Sequence, residues 1–81
     1  MIVYTRVITK REPLNKFGKL GFVEHTEVLV NPTEEILKEA NYKKHIRFTK
    51  KIETNFDMTD IELIKSLENT GAKNIDILYR N

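Results

Sequence analysis

The chain contains no cysteine, which excludes disulfide frameworks, thiolate metal sites, thiol redox chemistry and cysteine nucleophiles. It has no glutamine and one serine, Ser66, set in a helical pattern without the flanking residues of a nucleophile elbow. No apolar run approaches the length of a transmembrane helix, so no span and no membrane partner are expected. Small secreted domains lean on disulfides, so their absence predicts a cytoplasmic setting. The opening "MIVYTRVITKRE" has charges at Arg6, Lys10, Arg11 and Glu12 and no secretory h-region. Excess charge is also scarce: the net value is +2, too little to require a polyanionic partner.

What is present is 81 residues, 40% hydrophobic and 32% charged, the balance of a single folded domain. A chain of this length buries only about 60–65% of the surface it exposes when unfolded. Homodimerisation would add to that burial. Lysine, asparagine and isoleucine are abundant, and all three have AT-rich codons. An origin in a low-GC bacterium, or in a phage or mobile element living in one, follows as an expectation.

The apolar patterning predicts four strands and two helices. "IVYTRVITK" (2–10) is rich in β-branched residues, with Val3 and Val7 on one face and Ile2, Tyr4 and Ile8 on the other. "REPLNKFGKLG" (11–21) reads as a loop, and "FVEHTEVLV" (22–30) as a second, antiparallel strand. In "NPTEEILKEAN", Asn31 is the expected N-cap, Pro32 the first helical residue and Glu34 the capping-box residue. Ile36, Leu37 and Ala40 form its apolar stripe, and Asn41 is the expected stop. "YKKHIRFTKKIETNF" (42–56) reads as the third strand. In "MTDIELIKSLENTG", Thr59 and Glu62 make a capping box, Met58 and Leu63 a staple, and Gly71 the terminator. "KNIDILYR" closes as a strand with Ile75, Ile77 and Tyr79 alternating. The predicted fold is a two-layer α+β domain of order β-β-α-β-α-β: a mixed four-stranded sheet with both helices on one face. If the strands of the final β-α-β unit share the sheet and run parallel, the crossover is expected to be right-handed.

Chemistry-bearing groups are sparse. His25 shares a strand face with Glu27, but a metal site needs three or four convergent ligands, so His25 reads as a strand-surface residue and no metal or other cofactor is expected. Asp57, Asp60 and Glu62 suit a helix N-terminus. The glycines of "KFGKLGF" fit neither a Walker loop nor a dinucleotide fingerprint, which leaves Lys16, Phe17 and Lys19 as a loop contact surface. No catalytic constellation assembles, so an enzyme is not expected.

The densest feature is "YKKHIRFTKK" (42–51), with five Lys/Arg; residues 42–56 carry +4, against 0 for 1–41 and −2 for 57–81. Read as one strand, it places Lys43, His45, Arg47 and Lys51 on a polar face and Ile46, Phe48 and Ile52 on a core face, with Lys44 and Lys50 at the edge. Bases need exposed aromatics beside basic groups to stack on, and here Phe48 lies opposite Arg47. The sequence therefore predicts a non-enzymatic interaction or regulatory module with nucleic-acid backbone contact through Lys43, His45, Arg47, Lys50 and Lys51. The competing expectation is an inhibitor or adaptor docking on a protein through an acidic partner surface, with a homodimer as a further possibility.

Overall fold

The first and second strands run past the segments that patterning assigns, through the pairs Arg11↔Phe22, Glu12↔Gly21 and Pro13↔Leu20. The computed structural model describes residues 1–14, 17–44, 50–54 and 56–81, the side chains of 42–44 aside. Its elements are β1 (Ile2–Pro13), β2 (Leu20–Val30), α1 (Glu34–Lys44), β3 (Lys50–Glu53), α2 (Asp60–Asn69) and β4 (Ile75–Arg80). This is the α+β order expected, β-β-α-β-α-β, around one mixed four-stranded sheet of order β3-β1-β2-β4.

β1 runs antiparallel to both β2 and β3, while β2 and β4 are parallel. β3 and β4 therefore point the same way from opposite edges, and α2 carries the chain between them across β1 and β2. That crossing explains the core. Leu63 and Leu67 of α2 pack on Val3, Val28 and Val30 of the two central strands, and Ile52, Met58, Ala72, Ile75 and Ile77 close around them. Packing places α2 on this face. In α1, Ile36, Leu37, Ala40 and Asn41 are half-buried.

Local signals set the ends of α2. The Thr59 hydroxyl accepts from the Glu62 N–H, and the Glu62 carboxylate accepts from the Thr59 N–H, both at 3.2 Å. Met58 joins the core beside Leu63, as a staple should. At the other end Gly71 adopts φ 94°, its N–H donates to Glu68 O and that of Ala72 to Leu67 O, the two bonds of a Schellman motif. Thr59→Ala should cost about 1 kcal/mol, read by urea denaturation. The Glu62 carboxyl is held below the usual glutamate range, first by the Thr59 backbone hydrogen bond and then by the Thr59 side chain. A lowered carboxyl stabilises above its unfolded pKa, and that contribution disappears as pH falls through the folded one. Between pH 7 and pH 3 Glu62→Gln should therefore lose less stability than the parent chain. Equal losses would remove the role assigned to Glu62.

Three expectations are corrected. The N-cap of α1 is Thr33, whose hydroxyl accepts from the Ile36 N–H at 3.2 Å, and the helix continues through Asn41 to Lys44. Asn31 lies outside the helix with φ 47°. Its N–H donates to Ile2 O at 2.7 Å, its Oδ1 accepts from the Ile2 N–H at 2.8 Å, and its Nδ2 donates to Asn81 O at 3.4 Å. At β4 an irregularity after Ile77 brings Tyr79 into register with Leu29, so Tyr79 leaves the row of Ile75 and Ile77.

The opposite face of the sheet holds a buried ion pair. Arg6 and Glu27 are cross-strand partners, each 3% exposed, with Arg6 Nε donating to Glu27 Oε1 at 2.6 Å. Among the described residues, no helix is long and apolar enough to cross a membrane.

Candidate interaction surface

The register of β1 with β2 runs unbroken from Val3↔Val30 to Pro13↔Leu20. Among the described residues, β3 reaches only as far as Thr5 on β1, and β4 only as far as Thr26 on β2. Among the described residues, six pairs, Ile8↔His25 to Pro13↔Leu20, thus extend beyond both neighbours as a two-stranded arm. At the usual rise per strand residue the arm is about 20 Å long. It shows in the overall shape: the radius of gyration is 13.9 Å, against about 12 Å for a compact chain of this size. The longest axis is 45 Å.

The base of the arm is fastened by polar contacts. Asn74 Nδ2 donates to Glu24 O at 2.8 Å. The His25 ring, mostly buried, lies between two carboxylates, with Nε2 2.7 Å from Glu12 Oε1 and Nδ1 3.6 Å from Asp76 Oδ2. Neither ring nitrogen completes an aligned hydrogen bond to them. Glu27, the carboxylate expected beside His25, turns instead to Arg6.

The far end of the arm combines apolar bulk with positive charge. Leu14, Phe17, Leu20 and Phe22 are all exposed, Phe17 at 82% and Phe22 at 77%. Lys10, Arg11 and Lys19 are exposed among them. Arg11 and Phe22 are cross-strand partners, so their side chains share a face with Cβ atoms about 5 Å apart. Large hydrophobics gathered this way on a projecting element mark a contact surface.

The basic segment is arranged differently from the expected strand. Lys43 and Lys44 lie on α1, and β3 starts only at Lys50, so Lys43 and Lys51 do not stand on one strand face. His45 and Arg47 fall outside the described residues, as does Lys16. Lys50 is in register with Thr5 and Lys51 with Tyr4, which points them to opposite faces of the sheet. Lys51 Nζ sits 3.1 Å from Glu53 Oε1, and the hydrogen bond and charge of Glu53 hold the ammonium above its usual range. Of the loop residues, Phe17 and Lys19 sit at the tip of the arm.

The acidic residues near α2 are also placed. Asp60 Oδ1 accepts from Arg80 Nη1 at 2.9 Å, and Glu62 caps the helix. A cleft of about 200 Å³ lies at the base of the arm, between Thr5, Thr26, Lys50 and Lys73. Small-molecule sites usually offer roughly 300–1,000 Å³, so the projecting arm is the stronger candidate. No family model, curated protein or solved structure matches the chain.

Proposed function

We propose that the chain is a non-enzymatic interaction module that contacts nucleic-acid backbone, with the arm as its contact element. The carrying observation is that exposed Lys10, Arg11 and Lys19 all lie on the arm, Lys10 and Arg11 on its opposite faces, where the acidic Glu12 is occupied by His25. Phosphate contact needs only charge and reach, and a projecting ribbon supplies both. The cysteine-free chain suits a cytoplasmic setting, where nucleic acid is at hand. Lys43, His45, Arg47, Lys50 and Lys51 join this reading as a second source of charge, weakened at Lys51 by its pairing with Glu53.

The test is a titration with a labelled oligonucleotide at two salt concentrations. Three phosphate contacts predict roughly twenty- to fortyfold weaker binding between 50 and 200 mM salt. Arg11→Glu with Lys19→Glu should remove most of the affinity. No binding at 50 mM salt would exclude the reading.

A second reading is favoured by the apolar side chains alone. Leu14 and Leu20 stand beside the two phenylalanines, and such a tip also fits an apolar groove with an acidic rim on a protein, as an inhibitor, an adaptor or a homodimer would use. Capture from native cells with and without nuclease separates the two, since a protein partner survives digestion.

A further inference from the structure

We infer that the arm takes single-stranded nucleic acid, with an unpaired base stacked on Phe22 and the adjoining phosphates held by Arg11, with Lys19 at the tip. The inference rests on the nucleic-acid reading above and deepens it by naming the ligand class.

Exposed aromatics beside basic groups are what a stacking platform requires. The arm has that arrangement. Phe22 pairs across the ribbon with Arg11, and the two share a face. The ring is 77% exposed, so its surface is available to a flat ligand. The neighbouring pairs on that face, Thr9↔Glu24 and Pro13↔Leu20, place a carboxylate toward the domain and apolar surface toward the tip. An anionic strand is therefore favoured over the outer part of the arm and disfavoured at its base. Phe17 lies further out beside exposed Lys19, a second aromatic with a cation close by in sequence.

The pairing also separates ligand classes. In an intact duplex the base faces are stacked inside and unavailable to Phe22, so double-stranded DNA can use the cations alone. A single strand presents bases and phosphates together. A protein groove would accept Phe22 for its apolar bulk and would accept leucine in its place.

Fluorescence anisotropy with labelled oligothymidylate and a duplex of equal length tests the inference on the whole chain. Oligothymidylate should bind more tightly than the duplex. Phe22→Leu keeps the apolar bulk and removes the π face, and should weaken oligothymidylate binding about tenfold or more while leaving its salt dependence unchanged. Arg11→Ala should weaken binding to both and lower the salt slope by about one contact. Unchanged denaturation midpoints certify that the variants fold, since both side chains are exposed. Equal affinity for both ligands with Phe22→Leu silent would overturn the stacking inference and leave backbone contact standing. No binding to either at low salt would remove both, and nuclease-resistant protein capture retained by Phe22→Leu would replace them with the docking reading.

Discussion

Arg6→Ala should destabilise the domain by about 3–5 kcal/mol, and Glu27→Ala by a similar amount. The two side chains are 2% and 4% exposed and face each other across the central strand pair. Tyr4↔Leu29 flanks them on one side and Ile8↔His25 on the other. Removing either partner leaves a desolvated charge that water cannot reach, which costs far more than a surface ion pair is worth. Total stabilities of natural domains run about 5–15 kcal/mol, so each single change consumes a large share. Replacing both residues together, Arg6→Met with Glu27→Leu, should be near neutral or stabilising, because the desolvation of two charges disappears along with their attraction. Urea denaturation of the two single variants and the double variant reads the cycle. Single variants within about 0.5 kcal/mol of the parent would show that solvent screens the pair.

Leu67→Ala should cost about 2–5 kcal/mol. Leu67 and Leu63 are the buried hydrophobics of α2, and they meet the wholly buried Val3, Val28 and Val30 beneath them. Truncating Leu67 loses its transfer free energy and leaves a cavity that α2 cannot collapse. Its ends are held by the Thr59 box and the Gly71 terminator, and the Leu67 carbonyl itself accepts from Thr70 and Ala72 N–H groups. Phe22→Ala is the contrast: a larger side chain, exposed on the arm, whose loss should stay within about 0.5 kcal/mol. A Leu67→Ala loss as small as that of Phe22→Ala would mean that α2 contributes little to the core.

Features with a short sequence span were legible. The Thr59–Glu62 box, the Met58–Leu63 staple and the Gly71 stop each occupy a few residues and depend on local chemistry, and all three are present. The order of elements was legible for the same reason. The arm was not, because Pro13 and the two glycines that follow look like loop chemistry. Yet proline is tolerated at the last pair of a two-stranded ribbon, and β1 runs through to Pro13. Residues 42–44 were misplaced by counting parity along a segment that starts helical; Lys43 and Lys44 complete α1, and among the described residues the extended reading holds for Lys50–Glu53.

Register was the missing quantity for the site. Arg6 with Glu27 and Arg11 with Phe22 are both products of one rule, that partner positions on β1 and β2 add to a constant. Nothing local marks either pair. A trace was available at Arg6, a charged residue between Tyr4 and Ile8 on an apolar face, which asks for a buried counter-ion.

Asn31 bears on how other chains of this fold could be recognised. The position demands a backbone that tolerates φ 47°, an acceptor for the Ile2 N–H and a donor for the Asn81 carbonyl. Glycine meets the first demand only. Aspartate meets the first two, and asparagine alone meets all three. A distant chain that kept this knot could have changed every lysine on its surface and still carry the Asn-Pro step directly after its second strand.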